Sequence, residues 1–238
     1  LSKLKNNLME YSNDLLVAQA TDVEKVTFYK KTYTHLALAV LAFVVVESLL
    51  ISVVPEETII SMISQKYIWL LILGGFWLAS ILANKWTLSQ NKSTQYMGLG
   101  FYVLLQAIIF LPMIYIAMFY SDPTLIPQAA IITLALFGGL TGVAFTSKRD
   151  FSFLRNIIVV GGFVALGLII AGALFGFNLG LWFSVGMVLL ASASILYETQ
   201  KLQFTYTKGQ YVGASLQLFA SVMLLFWYVL RILMSRRD

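Results

Sequence analysis

Cysteine is absent from the 238 residues, which excludes disulfide bridges, thiolate metal sites and a cysteine nucleophile. Histidine occurs once, as His35, so a histidine-based serine protease and a multi-histidine metal centre are excluded too. Charge is scarce: 11% of the residues are Asp, Glu, Lys or Arg, against roughly 25% in soluble chains. No glycine-rich phosphate loop follows a strand pattern. No lysine lies in the last apolar run, which argues against a retinal Schiff base. The chain is read as a non-enzyme.

What is present is hydrophobic sequence in long runs. Uncharged or nearly uncharged stretches occupy 36–54, 67–84, 97–119, 125–146, 156–175, 179–197 and 211–234. Each is long enough to cross a hydrocarbon core of about 30 Å as a helix. The connections between them are short and hold no soluble domain. The expectation is an all-α integral membrane protein with seven transmembrane helices, divided into a polar tail, 1–34, and a membrane domain, 35–238. Leu4, Leu8, Tyr11 and Leu15 recur at helical spacing in the tail, the pattern of an amphipathic helix on a membrane surface. No secretory signal peptide is visible, and the missing initiator Met reads as a trimmed or partial chain.

The net charge of +5 points to anionic lipid rather than nucleic acid, because the basic residues lie in the connections. The tail and the second, fourth and sixth connections hold 5, 2, 3 and 2 Lys or Arg; the other three hold only Lys66. That asymmetry puts the tail on the cytoplasmic side. Arg231, Arg236 and Arg237 oppose it at the far end of the seventh run. Pro112 removes a backbone hydrogen bond inside the third run and is read as a kink or hinge. The glycines of "GGLTG" (138–142) and Gly161, Gly162, Gly167 and Gly172 are read as close helix contacts.

Of eleven acids, only Glu47 and Glu198 fall within or at the ends of the runs. An ionised group at mid-membrane costs on the order of 3 kcal/mol or more, so such acids face protein or a watery cavity. Glu47 is read as turning to the outer interface. Glu198, in "SASILYETQKL", has Lys201 and Lys208 as nearby cations. In the seventh run Gln217 and Ser221 share one helix face. A polar stripe on an apolar span points inwards. Antiparallel packing of the last two runs brings Glu198 towards it.

Four segments carry a family resemblance. "FTSKRDFSFL" (145–154), "ILYETQKL" (195–202), "SLQLFASVMLLFWYVLRIL" (215–233) and "GLGFYVLLQAIIFLPMIYIA" (98–117) resemble, in order and spacing, segments of the Bax inhibitor-1 (transmembrane Bax inhibitor motif) proteins and their bacterial members. The resemblance spans about residues 30–235. It implies two layers of three helices around a central seventh. It also implies a calcium or cation leak with a pair of acids on helices six and seven as its pH sensor. Glu198 stands at the first acid's place, and Ser221 at the second's. Leu111 replaces the Gly before Pro112, and Lys85 stands near the place of a basic partner.

Two functional classes are consistent with these residues. In the first, Glu198, Ser221 and Gln217 line an ion pathway, with calcium bound at most weakly and transiently by Glu198 and no other cofactor. In the second, the protein is a non-transporting partner of a membrane-embedded ATP-dependent protease, as some bacterial relatives lacking the second acid are. A bacterial inner membrane is the expected location.

Overall fold

In the computed structural model residues 15–235 are described; the tail pattern of Leu4, Leu8 and Tyr11, and Arg236 and Arg237, lie outside them. A single turn at Val17–Gln19 precedes eight helices. The first, α1 (Asp22–Val53), starts well before its apolar run because Thr21 caps it. The Thr21 hydroxyl accepts from Glu24 N, and the Glu24 carboxylate accepts from Thr21 N. Its 32 residues make about 48 Å of helix, so the first turns stand clear of a 30 Å core. Pro55 follows its end and opens α2 (Glu56–Ser64), whose first-turn acids Glu56 and Glu57 complement the helix dipole. This connection, which the sequence shows only as a short break between runs, is an amphipathic helix that buries Ile59.

The remaining helices are α3 (Lys66–Thr87), α4 (Lys92–Phe119), α5 (Leu125–Thr146), α6 (Leu154–Phe175), α7 (Gly180–Phe204) and α8 (Tyr211–Ser235). All except α2 are long and apolar enough to cross a membrane, which makes seven spans. One layer is built from α1, α4 and α3, and the other from α5, α7 and α6. Between them runs α8, which packs on α1, α3, α4, α5 and α7. Leu216, Leu218, Phe219, Leu225 and Leu230 of α8 are fully buried. Phe110 of α4 stacks on Phe226 and meets Trp227 edge-on, with ring centroids 5.9 and 4.9 Å apart. Lipid-facing sides of the outer helices account for the many exposed Leu, Val and Phe.

Close backbone approach is confined to a few glycines. A Cβ on Gly98 would lie 2.8 Å from Ala83 O and 2.9 Å from Thr87 N, so α4 touches α3 backbone there. Gly161 faces Leu190 of α7, and Gly172 faces the Phe177 carbonyl. Gly138, Gly139, Gly142, Gly162 and Gly167 meet nothing within 4 Å. The expectation of close packing at "GGLTG", Gly162 and Gly167 is therefore corrected: these glycines look onto open space. Pro112 is buried inside α4, which continues unbroken through it.

Candidate functional site

Helix α7 ends in the segment Tyr197–Phe204, and its side chains divide three ways by helical phase. Gln200 turns to the connection before α6: its Oε1 accepts from Phe151 N at 2.7 Å, and its Nε2 donates to Arg149 O at 3.0 Å. Asp150 accepts from Ser152 N at 2.8 Å, closing the same turn. The Ser152 hydroxyl and amide hold the Asp150 carboxyl below the usual carboxylate range. Thr199 is buried on the side of Tyr33 of α1, and the Thr141 hydroxyl of α5 lies near the same tyrosine.

Glu198 takes the inward direction and is only 8% exposed. Lys201 Nζ lies 3.0 Å from Oε2 and 3.2 Å from Oε1. Tyr206 donates its hydroxyl to Oε2 at 3.4 Å. Burial, and then the neighbouring carboxylate, push the Tyr206 phenol above its ordinary range, so it stays a donor. The Lys201 ammonium also sits over the rings of Tyr197 and Tyr206, 5.3 and 5.4 Å from their centroids. Glu198 is thus a buried acid in a cage of one cation and one phenol.

Tyr206 is held by the segment before α1. Val17 N donates to Tyr206 O at 2.9 Å and Lys208 N to Leu15 O at 3.1 Å, with Leu16 bridging Thr207. Lys208 Nζ reaches Glu24 at 2.7 Å, so it serves α1 instead of Glu198.

One turn before Glu198, Ser194 meets Ser221 of α8, Oγ to Oγ 2.8 Å. Ser221 also donates to Gln217 O at 3.0 Å. Gln217 Nε2 donates to Asn84 Oδ1 of α3 at 2.7 Å. The polar stripe thus faces inwards, but it bonds to Ser194 and Asn84, and its direct contact with Glu198 is not formed. Lys85 is exposed on α3, and the cation that reaches Glu198 is Lys201. Glu47 does not turn to the interface: it is 5% exposed, and neither carboxylate oxygen has a hydrogen-bond partner. Among the described residues no group of three or more acids or histidines could hold a metal. One carboxylate shared with Lys201 falls short of the six to eight oxygens calcium takes.

From the end of the bundle opposite the tail, a cavity of about 800 Å³ runs inwards between α3, α4, α6, α7 and α8. Arg231, Asn178 and Phe177 stand at its outer end, and Gln106 and Ser194 lie at the inner end. Sequence reasoning missed Ser194, Asn84 and Tyr206. Only Ser194 left a signal, four residues before Glu198 and hence on its face.

Six spans around a buried seventh, with a caged acid beside it, define a polytopic α-helical membrane protein with a polar core. Comparison with known proteins narrows this. The family model described as "Inhibitor of apoptosis-promoting Bax1" matches residues 25–238. An uncharacterized protein of Pseudomonas aeruginosa is 30% identical over 226 residues, covering 94% of this chain and 95% of its own. An uncharacterized membrane protein of Vibrio cholerae is 31% identical over 128 residues, about half of each chain. The Golgi anti-apoptotic protein of vaccinia virus strain Lister is 32% identical over 119 residues, 48% of each. The chain belongs to the Bax inhibitor-1 family of membrane proteins.

Proposed function

We propose that the protein is a gated cation leak, with calcium the chief permeant ion, and that Glu198 is its proton-sensitive latch. The reading rests on one observation: the cavity from the far end stops at Ser194, and Ser194 is bonded to Ser221 one turn before Glu198. Beyond that point the route to the tail side is filled by Glu198, Lys201 and Tyr206. Protonating Glu198 removes the charge that holds Lys201 and weakens the tie to Tyr206, so that the end of α7 and the loop leading to α8 can rearrange and open the route. No acid lies on α8, so the latch works with one carboxylate where the family has two. The charge asymmetry of the connections favours a tail in the cytoplasm, and the bacterial relatives support a bacterial inner membrane. Pro112 would serve as a hinge in α4.

The test is calcium flux into proteoliposomes across a pH series. Flux that rises on acidification in the parent and loses its pH response in Glu198→Gln supports the latch. A response unchanged by that substitution removes Glu198 from the mechanism. Ser221→Asp restores a second acid and should steepen the response.

A second reading has its own support. The segment before α1 is bridged to the loop that carries Tyr206, so a partner gripping the tail would act on the Glu198 cage. A membrane-embedded ATP-dependent protease fits that role. Deleting residues 1–20 severs the bridge and keeps the Thr21 cap. Loss of protease co-purification with flux at background in both forms would favour this reading over the leak.

A further inference from the structure

The far-end cavity is wider than an ion route needs, and its walls are mostly apolar, so a second occupant can lie along them. Most of its lining is apolar, Phe76, Phe110, Leu166, Ile169, Met187 and Trp227 among it, and no carboxylate lines it. A volume of about 800 Å³ lies within the range of about 300–1,000 Å³ typical of organic-ligand sites. We propose that this cavity takes one acyl chain of an anionic membrane phospholipid, with the lipid phosphate seated on Arg231.

Three features carry the assignment. The first is access: Trp77 of α3 and Phe163 of α6 line the cavity and are also exposed on the outer surface of the bundle. Helix α6 rests along α7 and touches α3 lightly, so the slot between α3 and α6 opens sideways, where acyl chains are. The second is charge: Arg231 has no ion pair among the described residues and lies four residues before the end of α8, about 6 Å along its axis. That is headgroup depth. Its planar fork suits a phosphate, and it cannot lose its proton. Asn178 shares the rim; its Oδ1 accepts from Gly180 N at 3.0 Å, leaving the amide NH₂ as a second donor.

The third is the floor. Gln106 is 6% exposed, its Oε1 has no hydrogen-bond partner, and it faces the cavity beside Ser194. This polar floor marks where the chain ends. Ser221, at the same depth as Ser194, lies ten residues before Arg231, about 15 Å along α8. The site therefore spans about one leaflet, half of a core of about 30 Å, and holds one chain, leaving the second in the bilayer. An arginine that opposed the charge bias of the connections acquires a role as a lipid anchor.

The experiment uses the full chain with Trp227 as its one tryptophan, Trp69, Trp77, Trp86 and Trp182 being changed to Phe. Vesicles carry, at equal mole fraction, phosphatidylglycerol or phosphatidylcholine brominated on an acyl chain, and Trp227 quenching is read. Brominated phosphatidylglycerol should associate about five-fold more strongly, the weight of one basic contact to an anionic headgroup. Arg231→Gln should erase the preference and Arg231→Lys should keep it, which separates lost charge from lost fold. Gly162→Leu projects into open space at the slot and should lower quenching by both lipids. Equal quenching by the two lipids, or a preference that survives Arg231→Gln, overturns the proposal. Quenching by a brominated free fatty acid with none by either phospholipid assigns the cavity to a single-chain acid and overturns it as well.

Discussion

Replacing Lys201 with Met tests the Glu198 cage most directly. The substitution keeps the stem and removes the cation that lies 3.0 Å from Oε2. Glu198 is then left 8% exposed with one hydrogen bond of 3.4 Å from Tyr206. Breaking a fully buried pair costs about 3–5 kcal/mol, because a charge stays behind without compensation. The Lys201 side chain is 23% exposed and water reaches it, so about 2 kcal/mol is the better expectation here. Glu198→Gln removes the charge and keeps a hydrogen-bonding amide, and should cost about 1 kcal/mol. In the double variant nothing charged remains buried. Its loss should fall short of the summed single losses by about 1–2 kcal/mol. Denaturant unfolding of all four proteins in one detergent at neutral pH reads the cycle. Single effects that add to within about 0.5 kcal/mol would refute the cage as an interacting unit.

Gly98→Ala pushes a methyl against the backbone of α3 and should cost about 1–3 kcal/mol, visible as a lower Tm, because Ala83 O and Thr87 N cannot rotate away. Gln200→Ala removes both hydrogen bonds to residues 149–151, about 1–2 kcal/mol of local stability. Trypsin should then cut faster after Lys148 or Arg149 than in the parent; equal rates would show the loop is held otherwise. Asp150 has a folded-state pKa below its ordinary value, so it supports its turn above the ordinary carboxylate range and loses that support as pH falls through the lowered value. Amide exchange at Ser152 should accelerate over that acidic window, and in Asp150→Ala it should be fast throughout.

The seven spans could be read from the chain because a run of twenty uncharged residues has few other physical outcomes. The central place of α8 could not, since its burial shows only in contacts with five other helices. α2 was missed for a matching reason: nine residues with charged first positions look like a connection until Pro55 and Ile59 are seen as start and anchor. Glu47 left a trace that went unused. Phe28, Thr32, Leu36, Ala39, Phe43 and Glu47 recur at spacings of three and four, one buried stripe of α1. Reading the acid in phase with those neighbours turns it inwards. At the site, Glu198 and Lys201 are one turn apart and legible as a pair. Ser194 shares their face one turn earlier, but Tyr206 and Asn84 join the site only through tertiary packing, which one sequence does not encode in any short window.

The helix between the two layers comes after all the other described helices. During synthesis, the earlier spans must therefore enter the membrane before the surface they pack on exists. Until Tyr211 and the rest of α8 emerge, the inward faces bearing Thr32, Glu47 and Gln106 have only lipid or one another for company. A ribosome halted just short of that point would release a protein hollow at its axis, with polar groups turned to hydrocarbon, a form that membrane quality control is suited to detect.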